Sequence, residues 1–223
     1  MTTRPRSMAD AFGRHTAAAK FAAAHRDDPQ PAGPHLDTLT GAPAQLRSIM
    51  ADHDQQMRAL RQQATSNSDT ERQRITGLAK PVQARTAQRV NDLAGRVDTA
   101  HTTLRTNAER ALPKPAGGVE GILGRQAHWQ RAKTMLDSGI HPQDVINEAH
   151  DPELLHSLAE ELPAYLRSKG ATTDTAQDTT SAVYDRLAEL TGGTAADARL
   201  AAHVADVHRA GIGPLIRDAQ HRA

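Results

Sequence analysis

Residues 69–112 read DTERQRITGLAKPVQARTAQRVNDLAGRVDTAHTTLRTNAERAL. Within them Ile75, Leu78, Val82, Thr86, Val90, Leu93, Val97, Ala100, Leu104, Ala108 and Ala111 recur at steps of three and four, the period of an α-helix. Arginines and other polar residues fill the remaining positions. A stripe this narrow buries against one partner helix and not against a broad core. At 1.5 Å per residue the segment reaches about 65 Å. Pro81 interrupts it, because an interior proline loses a hydrogen bond and crowds the preceding turn. The helix is expected either to kink there or to restart with Pro81 at its first position.

A second periodic segment precedes it. Leu46, Ile49, Met50, His53, Met57, Leu60 and Ala64 share one helical face over 43–65. Residues 65–69 are turn formers, and Ser68 with Glu71 makes a capping box for the next helix. The spacing therefore predicts an extended, coiled-coil-like helical hairpin over 36–112. Its second arm is the longer one. Val90, Leu93, Val97 and Leu104 have no counterpart in the first arm and form the expected partner interface. They call for cover from a helix at 7–26, from the C-terminal region, or from another copy of the chain. His53 lies between Asp52 and Asp54 yet on the apolar stripe, so it reads as a buried register-setting polar group and not as a general base.

Residues 1–35 hold an Ala-rich basic helix over 7–26 and a Pro-rich linker over 27–35. The run Pro113-Lys114-Pro115-Ala116-Gly117-Gly118 marks a second linker, 113–118. Beyond it, 119–223 reads as a bundle of short helices. Asp151-Pro152-Glu153 starts one of them with an oxygen cap, a first-turn proline and an acid at the positive dipole end. Pro163 is expected to kink that helix and Gly170 to close it. Gly211 is expected to end a helix over 195–210, and Pro214 to open a last short one. No strand pattern occurs, so the fold class expected is all-α.

Composition narrows the choice of function. Aromatic residues make up 2% of the chain, which suits thin cores of Leu, Val, Ile and Ala. The absence of cysteine excludes disulfides, thiolate metal sites and cysteine nucleophiles. Neither a membrane span nor a secretory signal is expected. Arginine outnumbers lysine 22 to 5, a bias that resembles translation from a GC-rich genome. Residues 1–118 carry 17 Lys/Arg and 11 Asp/Glu, a balance of +6, whereas 119–223 carry 10 and 15, a balance of −5.

Few residues suggest chemistry. His141, Asp144 and Glu148 share a helical face and would suit an oxygen-preferring ion; with His150 they are the basis for a metal-dependent enzyme as a second alternative. Short acid–histidine spacings are common by chance, and no cofactor or metal is expected. Gly118, Gly121 and Gly124 lack the preceding strand a dinucleotide loop needs and read as the start of a helix. Arg58, Arg61, Arg72, Arg74, Arg85, Arg89 and Arg96 form a basic face that would track a phosphate backbone, the basis for a nucleic-acid-associated alternative. Acids interrupt that face and no aromatics interleave. The leading expectation is a non-catalytic structural or adaptor protein. It would pair through its long helix with a protein partner or its own copies, with no small-molecule substrate, in the cytoplasm or within a phage or mobile-element particle.

Overall fold

Seven helices account for nearly all of the described residues. The structure is a computed structural model that describes residues 32–63 and 68–223. The helix expected over 7–26 lies outside them. The helices are α1 (Gly33–Gln62), α2 (Asp69–Ala111), α3 (Gly118–Asp137), α4 (Pro142–Asn147), α5 (Pro152–Ser168), α6 (Thr173–Thr191) and α7 (Gly193–Arg222). The protein is all-α, with no strand among the described residues.

Local signals explain most helix ends. Ser68 Oγ accepts from the Glu71 amide at 3.3 Å, while the Glu71 carboxylate holds Arg74 in the same first turn. Asp151 caps α5 by accepting from the Glu153 amide at 3.0 Å, and Thr172 caps α6 through the Thr175 amide at 3.2 Å. Gly170 closes α5 at φ +88°, with the Ala171 amide donating back to the Leu166 carbonyl.

Prolines mark fewer boundaries than their chemistry suggests. α1 starts at Gly33, well before residue 43, because Pro34 sits in the tolerated first turn and Leu36, Leu39 and Ala42 extend the buried stripe upstream. Pro43, Pro81, Pro163 and Pro214 all lie inside helices. α2 is unbroken through Pro81. α7 runs through Gly211, Gly213 and Pro214, so neither the stop at 211 nor the restart at 214 occurs. Two interior glycines and a proline cost about 5 kcal/mol. Full burial of two isoleucines returns roughly 3–6 kcal/mol, and Ile212 and Ile216 are both buried.

The described residues group into two compact units, one comprising 32–63, 68–105 and 201–223 and the other 106–200. The divisions fall inside α2 and α7, not at 113–118, so the last 23 residues belong with the first helices and not with the acidic bundle. In the first unit α1 supplies Leu36, Leu39, Leu46 and Ile49, α2 supplies Val90, Leu93, Val97 and Leu104, and α7 supplies Val204, Ile212 and Ile216 to one core. Val90, Leu93 and Val97 are fully buried and Leu104 nearly so. The expected partner interface is therefore covered within the chain. Among the described residues, the C-terminal segment supplies side chains to this core.

The stripe itself needs one revision. Leu78 is 40% exposed and Ala79 is buried in its place. With that change Ala79 and Val90 stand eleven residues apart, as do Val82, Leu93 and Leu104 and also Thr86, Val97 and Ala108. An eleven-residue repeat follows about 3.67 residues per turn, which does not impose the left-handed winding of a heptad coiled coil.

Polar contacts fix the register of this unit. His53 Nδ1 lies 3.1 Å from Thr86 Oγ1, and the Thr86 hydroxyl also reaches the Val82 carbonyl at 3.0 Å. A hydroxyl has one hydrogen. With that hydrogen on Val82, the histidine donates to Thr86. Arg89 meets Asp52 at 3.0 Å, Arg209 meets Asp98 at 2.7 Å, and His101 meets Asp206 at 2.7 Å. In the second unit α3 to α6 surround Leu136, Ile146, Leu155, Leu158, Leu162, Val183 and Leu187.

Candidate functional site

α3 begins without a side-chain cap, from Gly117 in extended backbone and Gly118 at φ +77°. Its start is held instead by a clasp with α5. Arg125 donates to the Ala116 carbonyl at 2.8 Å and faces Glu153 and Glu160 at 3.8 and 3.5 Å. The Ala116 amide donates to Glu153 at 2.9 Å. The Ser157 hydroxyl lies 2.9 Å from the Arg125 carbonyl. Gly121 permits the close return of the chain, since a Cβ there would strike the Ala116 carbonyl. Farther along, Trp129 packs edge-on to Tyr165 with ring centroids 5.8 Å apart, and the Tyr165 hydroxyl donates to Asp137 at 2.8 Å. That hydrogen bond, followed by the one from Lys169, lowers the pKa of Asp137.

These contacts decide which way α3 faces. At about 100° per residue, Arg125, Ala132 and Leu136 lie on one side, Val119 and Leu123 point away from it, and Ile122 lies between the two. Ala132 and Leu136 are buried, whereas Val119 is 73% exposed and Ile122 and Leu123 are each 58% exposed. Three large aliphatic side chains at i, i+3 and i+4 thus form a contiguous apolar face open to solvent. Scattered exposed apolar residues need no explanation, whereas a contiguous apolar group is a candidate contact surface. The exposed positions Gln126, Ala127 and Gln130 beside them are uncharged, and Glu120 lies at the edge of the group.

No protein family matches this sequence, nor does any curated protein or solved structure. The site therefore rests on its own chemistry. His141 is the N-cap of α4, its ring accepting from the Gln143 amide at 3.2 Å, so it serves the backbone. Among the described residues no three His, Asp or Glu side chains, including His141, Asp144 and Glu148, come together as a metal site. No helix among them is long and apolar enough to cross a membrane.

All seven arginines of the basic face are exposed. Several are already engaged: Arg89 with Asp52, Arg72 with Asp69 and Arg74 with Glu71. Arg96 donates to Gln45 and Arg58 to the Asp54 carbonyl. Local acids and acceptors thus answer much of the charge, the pattern of a solvated face.

One buried group stands apart. His156 on α5 is buried, and its Nε2 has no hydrogen-bond partner. Burial lowers its pKa, opposed by Glu153 and reinforced by Arg125. Sequence reasoning singled out neither His156 nor Val119, Ile122 and Leu123. The signal for the apolar triad was its i, i+3, i+4 spacing just after the Gly-rich stretch.

Proposed function

We propose that this protein is a non-catalytic helical adaptor whose contact surface is the apolar face of α3, seating an amphipathic helix of a protein partner. The observation that carries this reading is the exposure of Val119, Ile122 and Leu123 on a helix held in place through Arg125, Glu153 and Ser157. A rigid helix that presents aliphatic anchors at i, i+3 and i+4 matches the way helices recognise one another in grooves and pairs. Burying three such side chains contributes roughly 4–9 kcal/mol before the costs of association. The long stripe of α2, spent on the internal core, leaves this face as the helix-pairing surface. A place among the assembly proteins of a phage or mobile element, in the cytoplasm or within the particle, accords with the GC-rich composition.

The test compares wild type with Ile122→Asp/Leu123→Asp. Both positions are exposed, so helix content should be unchanged. Sedimentation across concentration reads self-association, and affinity recovery from the source cells reads association with other proteins. A complex formed by the wild type and lost in the double variant supports the reading. Identical behaviour of the two proteins in both assays refutes it.

A further inference from the structure

His156 stands at the seam between α5 and α3. At about 100° per residue, His156, Glu160, Glu153 and Ser157 fall within one quarter-turn of α5. Leu155, Leu158 and Leu162 occupy another side and fill the core. The companions of His156 on its arc are the residues that hold α3. Glu153 and Glu160 face Arg125, Glu153 accepts from the Ala116 amide, and the Ser157 hydroxyl reaches the Arg125 carbonyl. His156 is buried among them, yet its Nε2 makes no hydrogen bond. Glu153 Oε2, a second buried atom of the cluster, also lacks one, with Arg125 3.8 Å away.

The start of α3 depends on this cluster. No side chain from Lys114 to Arg131 is buried, and Ala132 is the first of α3 that is. A segment held by polar contacts and not by buried apolar area opens locally at a lower free energy than the core around it. The charged groups that bear on His156 are Glu153 and Glu160 from its own helix and Arg125 from α3. α5 packs chiefly against α3 and α6, and no charged group of α6 joins those three. His128 on α3 faces Asp151 at 3.3 Å, so a charge there draws the two helices together, the opposite sense.

We propose that His156 is a proton-sensitive latch on the start of α3, so that acid releases residues 116–125 from α5 while the core of the unit stays folded. The neutral ring is tolerated in the seam. An imidazolium there stands with the Arg125 guanidinium, competes with it for Glu153 and Glu160, and is deprived of water. Opening the seam hydrates it. Burial holds the folded-state pKa below the ordinary 6.5, so the closed form is fully favoured above that value and loses ground as pH falls toward the folded pKa. A single proton limits the gain in the opening equilibrium to about tenfold per pH unit. Val119, Ile122 and Leu123 ride on the released segment, so acid also withdraws the contact surface. That consequence rests on the adaptor reading, whereas the latch does not.

Hydrogen exchange of the full chain, followed by mass spectrometry and corrected for the intrinsic rate at each pH, tests the latch without a partner. Residues 116–125 are compared with 183–187 of α6 at pH values of about 7.5 and 5.5. In the wild type, protection over 116–125 should fall in acid by at least about threefold more than over 183–187. In His156→Gln and His156→Leu, which cannot take up the proton, that excess should vanish. An equal loss over both segments would make His156 a group that weakens the whole unit, and would overturn the proposal. So would an absence of loss over 116–125, or an excess that survives both substitutions. None of these outcomes touches the α3 surface as a partner site, which Ile122→Asp/Leu123→Asp tests separately.

Discussion

The bond between His53 and Thr86 offers a quantitative test of how α1 is registered on α2. The Thr86 hydroxyl gives its hydrogen to the Val82 carbonyl and accepts the His53 Nδ1 proton, and both residues are buried. Thr86→Val keeps the shape and removes the acceptor. His53 then has a buried ring nitrogen without a partner, and changing tautomer only replaces an orphan donor with an orphan acceptor. The expected cost is about 1–3 kcal/mol. At roughly 2–4 °C per kcal/mol for a chain of this size, the midpoint falls by about 2–12 °C. His53→Leu should be milder, within about 1 kcal/mol, because the threonine keeps its bond to Val82 and an apolar side chain suits the stripe. In the His53→Leu background, Thr86→Val should then cost close to nothing. The assay is chemical unfolding of the four proteins of the cycle, followed by helix signal, with Trp129 fluorescence reporting the other unit separately. The reasoning fails if Thr86→Val costs the same in both backgrounds to within about 0.5 kcal/mol, the limit for independent sites.

Other outcomes follow from the same packing. Leu93→Ala should destabilise the first unit by about 2–5 kcal/mol, since a fully buried leucine leaves a cavity on removal; urea unfolding reads the loss, and a cost below about 1 kcal/mol would contradict the internal core. Leu93→Asp should unfold that unit outright, detected as lost helix signal at any protein concentration, rather than merely dissociate an assembly. Gly121→Ala should cost about 1–3 kcal/mol by forcing Ala116 away from α3, an overpacking effect visible in Trp129 fluorescence during unfolding. For His156 the folded-state pKa lies below the ordinary value of 6.5, so as pH falls through about 6.5 the unfolded chain takes up a proton that the folded chain resists. Stability should therefore be full above that range and decline toward the folded pKa, and His156→Leu should flatten the thermal midpoint against pH relative to wild type.

Much of the fold was legible because burial along a helical stripe is what chiefly stabilises it. The spacing from Val82 to Leu104 marked residues that must be covered, and the oxygen cap at Asp151 and the glycine at 170 marked ends with local causes. What stayed hidden was tertiary. Gly211, Gly213 and Pro214 carry the local chemistry of a helix end, yet Ile212 among them and Ile216 and Ala219 after them are buried. Packing against α1 and α2 offsets a propensity that local sequence reads at face value. Leu78 and Ala79 show the same limit at a smaller scale. Adjacent apolar residues compete for one stripe position, and only the accumulated turn of the helix decides which faces inward.

The α3 surface illustrates why a contact face is harder to read than a core. Its sequence offers a broad apolar arc: Trp129, Ala132 and Leu136 at one edge, Val119 and Leu123 at the other, and Ile122 between them. Periodicity ranks neither edge, and the larger aliphatic cluster would ordinarily be assigned to the interior. The polar residues reverse that assignment. Arg125 shares the side of Ala132 and Leu136, and it is committed to Ala116, Glu153 and Glu160, so this side must face α5. Turning Leu123 inward would instead expose Leu136 and break four polar contacts around Arg125 and Ser157. Each such contact contributes about 0.5–1.5 kcal/mol when neutral and more when charged. Together they are comparable with the burial of the aliphatic triad, and the orientation follows the side that also gains Leu136 and the Trp129–Tyr165 contact. The exposed triad is therefore the consequence of a braced helix.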